Sequence, residues 1–347
     1  MKSSINVIVS VIYPLNSQLS RKRPQLIADY RSEDLGQESV VLDGLKKEIF
    51  GAVHFLTLSA DGNHVAYIAV EKDHDGVTKA SLMLDEKRGS FRAIYRHYGE
   101  PTENHPVSLL TFSPDGQRFA CVVRVNRDPE KEQYVLYLDG NVVPGKHSRI
   151  GGLSGNLMFS PDGKHIAYPA RDVFPAVNQL FKPPAEVMID GRSVTPKMLS
   201  VDALAISPDG KRLAYEILTA KLNKCFVVDG KQGPCFDSVL DFKFSADCRN
   251  FTYVGYARSE SYIVINRHKP ISSEAHETMF SPDGDHIVWQ GEGGRQMFFD
   301  LLPSPEYDKM SRAIFRKPNT LVFYGAREGT CYRCIAVASI PLPILRE

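Results

Sequence analysis

No stretch of this 347-residue chain approaches roughly 18 consecutive apolar residues, which excludes a helical membrane span. It also lacks an excess of charge of either sign: 42 basic residues face 41 acidic ones, for a formal net charge of +1. Nucleic-acid and membrane-surface binding both draw on concentrated positive charge, so this balance argues against either partner. Cysteine is sparse, and six in the whole chain do not make a disulfide framework. Catalytic signatures are missing too. There is no G-x-S-x-G elbow, no H-E-x-x-H helix, no P-loop and no G-x-G-x-x-G after a strand. The expectation is a protein that is not an enzyme and needs no cofactor or metal.

The first residues, MKSSINVIVSVIYPLNSQLSRKRPQ, have the outline of a signal peptide. Asn6 and Ser10 interrupt the apolar stretch, however, and no A-x-A-like cleavage site follows. Ile5, Val7, Val9, Val11 and Tyr13 alternate instead, which predicts a strand. Residues 1–24 are therefore read as an N-terminal strand or extension and 25–347 as one domain, with a cytoplasmic location favoured over a periplasmic or secreted one.

What the chain does contain is one phrase written six times: LSADGNHVAY from residue 58, FSPDGQRFAC from 112, FSPDGKHIAY from 159, ISPDGKRLAY from 206, FSADCRNFTY from 244 and FSPDGDHIVW from 280. Repeats of this length mark architectures in which each unit buries its apolar face only against its neighbours. In S-P-D-G, proline presets φ at the second turn position and glycine accepts a left-handed φ at the fourth, so the phrase closes a hairpin through a type I turn and a bulge. A second signal, two apolar residues followed by Asp-Gly, recurs at Asp43-Gly44, Asp139-Gly140, Asp190-Gly191 and Asp229-Gly230 and marks a tighter hairpin.

Two hairpins per unit give four strands, here A to D, and predict an all-β fold: a single β-propeller of four-stranded antiparallel blades. An eroded copy at 315–324 (FRKPNTLVFY) brings the favoured count to seven, and strands supplied by residues 5–30 would make it eight. The hairpin at 40–50 is expected to help close the ring against 311–337.

The phrase FSPDGKxIAY with a following VxxDG resembles the TolB-type, WD40-like (PD40) propeller repeats common in bacterial proteins, over roughly residues 40–337. Departures are Cys248 for the turn glycine, Ala60 and Ala246 for proline, and the eroded last copy. The resemblance implies a non-catalytic binding platform, or a propeller attached to a peptidase domain.

Comparing the copies disposes of several candidate sites. Ser113, Ser160, Ser207 and Ser281 share one turn position, as do Asp115, Asp162, Asp209 and Asp283, and turn capping explains both sets. His64, His165 and His286 occupy a position filled elsewhere by Arg118, Arg212 and Asn250, which reads as solvated surface. Cys331 and Cys334 lie three apart on a predicted strand and so face opposite ways, against joint metal ligation. Cys225 and Cys235 flank the Asp229-Gly230 turn symmetrically. They are favoured as free thiols, with a bridge open to them in an oxidising compartment.

Function is expected where spacing departs from the repeat. The first three intervals are 54, 47 and 47 residues, and the extra length falls in B–C and D–A connections at one end of the strands: 71–80, 96–106, 124–132, 144–156 and 171–185. Arg96, His97, Tyr98 and His105 are expected to join His147, Arg149, Arg171 and Phe174 in one patch that binds a protein or peptide, arginine and tyrosine being interface anchors. The plainer reading of 87–96 is an edge strand protected by arginines. Other functions remain open: a catalytic or small-ligand propeller with its site at the mouth of the central channel, or a propeller subunit of a larger enzyme assembly. The oligomeric state is not legible.

Overall fold

A computed structural model of the chain describes residues 7–10, 27–32, 37–42, 45–60, 64–72, 78–84, 87–95, 107–126, 133–145, 147–151, 157–171, 184–272, 275, 277–338, 342 and 345. Eight antiparallel sheets follow one another along the chain, over 7–50, 52–95, 107–142, 149–193, 201–236, 238–272, 278–303 and 309–337. Among the described residues the sheets number eight, which matches the larger of the two counts the sequence left open. The added one arises because Val7–Ser10 pairs with Ile27–Ser32, which in turn pairs with the hairpin of Gln37–Leu42 and Leu45–Phe50. That hairpin completes the first sheet. The eroded last copy does form its hairpin, from Ile314–Lys317 and Thr320–Arg327.

The chain divides into two compact units, Met1–Val194 and Thr195–Glu347. Within each, apolar clusters are shared by consecutive sheets. In the first unit Val65, Tyr67 and Ala69 pack with Val40 of sheet one, while Ala66 and Ile68, from the same strand, pack with Cys121 and Val123 of sheet three. In the second unit Ile287 and Trp289 join Ile263 and Ile265 of sheet six, and Val288 joins Leu321 and Phe323 of sheet eight. A B strand thus buries both faces, so it reads as an apolar run, not an alternation. Each large side chain so buried contributes about 1.5–3 kcal/mol. Leu342 and Leu345 pack into the cluster of sheets six and seven, and Leu342 N–H donates to the Asp285 carbonyl at 3.1 Å.

The turns follow the expected chemistry. Ser207 Oγ donates to Asp209 Oδ1 at 2.5 Å and accepts from Arg212 N–H at 2.9 Å, and Asp209 Oδ1 accepts from Lys211 N–H at 3.1 Å. Turns at Ser113, Ser160, Ser245 and Ser281 repeat the arrangement. The serine hydrogen bond, followed by the backbone N–H, holds the carboxyls of Asp115, Asp162 and Asp209 below their ordinary range. At Asp139-Gly140, Asp190-Gly191 and Asp229-Gly230 both residues have positive φ, as a type I′ turn requires.

The position shared by histidine, arginine and asparagine corrects the sequence reading. It is a clamp, and in the second unit it is largely buried: Asn250 is 2% and His286 3% exposed. Arg212 Nε donates to Asp229 Oδ2 of its own C–D turn at 2.9 Å, and its Nη1 reaches the Cys248 and Arg249 carbonyls of the next sheet at 2.9 and 2.8 Å. Arg118 does the same with Asp139 and the Gly163 and Lys164 carbonyls. His286 Nδ1 lies 2.5 Å from Asp300 Oδ2. Where the clamp is Asn250 its turn partner changes too: Asn266 Nδ2 donates to Asn250 Oδ1 at 2.8 Å, and Asn250 Nδ2 donates to the Gly284 carbonyl at 3.1 Å. His165, beside Asp190, remains exposed. Arginine and asparagine here reach the next sheet, while His165 and His286 hold the aspartate of their own C–D turn.

Cysteine pairing is a second correction. Cys225 and Cys235 face each other across strands with Cα atoms 4.4 Å apart and are joined by a disulfide. The preference for free thiols weighed secretion signals, whereas the register alone brings the two sulfurs together. Cys121 is buried and its thiol is pushed up to about 12 by desolvation. Cys331 is exposed, and Cys334 Sγ donates to Tyr307 Oη at 3.1 Å.

Candidate functional site

Of the eight residues expected in one patch, Arg96, His97, Tyr98, His105 and Phe174 lie outside the described residues. The other three meet at one end of sheet four. Arg149 and Arg171 are direct cross-strand partners, and Ser148, between His147 and Arg149, donates its N–H to the Arg171 carbonyl at 2.9 Å. His147 itself is 7% exposed, edge-on to Tyr168 and bridged through its backbone to Tyr134. It serves the interior rather than an exposed surface. The arginines remain at that surface, Arg149 exposed and Arg171 half-buried.

Sequence spacing did not point to the groove between sheets six and seven, a cavity of about 1040 Å³ within the second unit. Sheet six contributes the ends of Phe251–Ala257 and Glu260–Ile265, with the outer strand Ile271–Ser272; sheet seven contributes Ile287–Gln290, Met297–Phe299 and the connection between them. That connection is a B–C one, so the groove opens at the end of the sheets where function was expected, in a late rather than an early repeat.

Glycine shapes this loop. Gly293 and Gly294 both take positive φ, +63° and +66°, which turns the chain within a single helical turn. A Cβ on Gly291 would stand 2.9 Å from the Phe298 ring, so its absence lets the ring lie against the backbone. Gly291 N–H donates to the Gln296 carbonyl at 2.9 Å, and Tyr307 N–H donates to the Arg295 carbonyl at 2.8 Å. Gln290 and Gln296 spend their amides on the Gly294 and Ser304 carbonyls at 3.0 and 2.9 Å. The loop is braced at both ends.

Its side chains divide into spent and unspent groups. Trp289 and Phe298 are cross-strand partners stacked at 5.2 Å with an interplanar angle of 3°. Trp289 is 3% exposed, and its indole N–H has no acceptor among the described residues. Arg295 and Glu306 are exposed, and neither side chain makes a hydrogen bond or ion pair among the described residues. Glu260 accepts from Tyr262 Oη–H at 2.5 Å, which raises the phenol pKa. The legible signals here were the only tryptophan and the run Gly291, Glu292, Gly293, Gly294; a search for long loops passes over both.

A second cavity, of about 820 Å³, lies at the opposite end of the strands and is lined by Arg212, Arg249, Asn250, Asn266, Arg267 and His268 among others. Its cations are engaged: Arg212 with Asp229, Arg249 with Asp247 and Asp285, and Arg267 with the Val228 carbonyl. It lies where the clamp is the short Asn250.

Successive four-stranded antiparallel sheets with cores shared between neighbours define the fold class as all-β, and the fold as a β-propeller. No family model matches the chain, and no curated protein matches it. Among solved structures it is similar to a crystal structure of the eukaryotic initiation factor at 17% identity and a TM-score of 0.47, covering 86% of this chain and 78% of that one. It is also similar to the β-propeller domain of the Trilobed protease from Pyrococcus furiosus, at 14% identity, a TM-score of 0.40 and coverage of 90% and 95%. The C-terminal WD40 domain of Sif2 matches at 14% identity, a TM-score of 0.37 and coverage of 90% and 93%.

Proposed function

We propose that this β-propeller, of the TolB-type WD40-like repeat kind, is a non-catalytic scaffold. It binds a protein or peptide partner at the end of its sheets that carries the B–C and D–A connections. One observation supports the reading: the two ends of the strands in the second unit use their polar side chains differently. At the A–B and C–D end, serine, aspartate, arginine, histidine and asparagine are taken up by turn caps and clamps. At the other end a groove with a stacked Trp289–Phe298 pair leaves Arg295 and Glu306 unengaged. Aromatic and arginine side chains around a groove are what a docking surface needs. The early-loop residues Arg96, Tyr98 and Phe174 with Arg149 and Arg171 extend the same proposal to the first unit.

The test is a pull-down from native extract with the parent chain, an Arg295→Glu variant and an Arg96→Ala, Tyr98→Ala, Phe174→Ala variant, all checked by thermal melt. A partner held by the parent and lost from either variant supports the reading. If all three retain the same proteins, or the parent retains none, the scaffold reading is wrong.

A further inference from the structure

We propose that the groove between sheets six and seven takes an extended peptide carrying an acidic residue next to a basic one, with Arg295 receiving the acid and Glu306 the base. The inference rests on the scaffold reading above and adds the chemistry of the ligand. The polar groups on the groove wall sort by what they still lack. Gln290 and Gln296 are spent on backbone carbonyls, and Glu260 accepts from Tyr262. The exposed donors left over are the Arg295 guanidinium and the Ser259 and Ser272 hydroxyls, while the indole N–H of Trp289, itself 3% exposed, has no acceptor among the described residues. A carboxylate suits a planar guanidinium, which can engage both of its oxygens.

Arg295 is placed for that role. Its backbone carbonyl is tied to Tyr307 N–H at 2.8 Å, and its stem passes Gly293, where a Cβ would lie 3.8 Å from Cγ. Glu306, next to Tyr307, is the exposed carboxylate without a partner among the described residues, so a cationic neighbour of the bound acid has a complement. The extended conformation follows from the other wall. Ile271–Ser272 is the outer strand of sheet six and pairs only with Glu260–Ile265 among the described residues, leaving a backbone edge for an added strand. A cavity of about 1040 Å³ is at the upper end of small-molecule sites and suits several residues of peptide.

Trp289 is the only tryptophan and lines this groove, so its emission reports changes there. Titration with acetylated, amidated pentapeptides Val-Phe-Glu-Lys-Val, Val-Phe-Gln-Lys-Val and Val-Phe-Glu-Gln-Val tests the assignment. The first peptide is expected to shift the emission saturably, and each glutamine version to bind at least tenfold more weakly. Arg295→Gln is expected to abolish the preference for glutamate over glutamine while leaving the melt unchanged. Glu306→Gln is expected to abolish only the preference for lysine. Equal binding of the three peptides, discrimination that survives Arg295→Gln, or no emission change with any peptide would overturn the proposal. If a native partner is nevertheless lost from the Arg295→Glu variant in the pull-down, the scaffold reading stands and only the ligand chemistry falls.

Discussion

Replacing Asn266 by aspartate isolates the clamp between sheets. In the parent, Asn266 Nδ2 donates to Asn250 Oδ1 at 2.8 Å, which leaves Asn250 Nδ2 free to donate to the Gly284 carbonyl of the next sheet at 3.1 Å. Asn266→Asp keeps the oxygen that accepts from Phe251 N–H but turns the donor into a second acceptor facing Asn250 Oδ1. Either the two oxygens face each other, or the Asn250 amide turns over and abandons Gly284. Asn250 is 2% exposed, so water cannot make good the loss. A buried polar group left unpaired costs about 1–3 kcal/mol. At about 2–4 °C per kcal/mol for a large domain, the melting temperature should fall by several degrees. Adding Asn250→Arg should recover at least half of the loss, because Arg212 with Asp229 and Arg118 with Asp139 already make that pair at 2.9 and 2.8 Å. The adjoining cavity of about 820 Å³ has room for the longer side chain. Thermal and urea melts of the parent, both single variants and the double variant close a double-mutant cycle. An Asn266→Asp protein as stable as the parent, or a double variant no more stable than Asn266→Asp alone, refutes the clamp.

Four further outcomes are expected. Ser207→Ala removes the acceptor for Arg212 N–H and should cost about 1–3 kcal/mol in urea denaturation without altering partner capture. Cys248 has φ 66° where the equivalent Gly116, Gly163, Gly210 and Gly284 have 70° to 77°, so Cys248→Gly should raise stability by about 1 kcal/mol in the same assay. Replacing Cys225 and Cys235 by serine opens a bridge with a sequence separation of 10 and should cost about 3 kcal/mol, with the bridge itself read from the mass of the unreduced peptide. The carboxyls of Asp115, Asp162 and Asp209 are held below the ordinary 3.8, first by their serines and then by backbone N–H groups. Their contribution is fully present above pH 3.8 and is lost as pH falls through the lowered folded values. Melts between pH 5 and about pH 2 should therefore show stability falling with acid, and aspartate-to-asparagine changes at these three turns should flatten the slope.

The local structure was legible because each turn is settled by four residues. Pro161 presets one φ, Gly163 accepts φ 70°, and Ser160 and Asp162 cap the donors between them, so FSPDGKHIAY states its hairpin without reference to the rest of the chain. The same holds for Asp190-Gly191 with both φ values positive. Strand periodicity was partly legible: the B strands read as apolar runs, and only the packing of Val288 one way and Ile287 and Trp289 the other explains why both faces are dry. The clamp could not be read from one copy, since arginine and asparagine resemble one another only in having donors that reach the next sheet, and the histidines hold the aspartate of their own C–D turn. Its signal was covariation within the chain, Asn250 with Asn266 against Arg212 with Asp229.

The sequence by itself determined the hairpins, the four-stranded unit and hence the propeller class, because turn chemistry acts over a few residues. Tertiary structure decided what those units do for each other. Cross-strand register brought Cys225 to Cys235, neighbouring sheets turned a variable polar position into a buried brace, and stacking sheet six against sheet seven put Trp289, Phe298, Arg295 and Glu306 around one groove. Those contacts join residues far apart in the chain, where spacing along the sequence carries no information about distance in space.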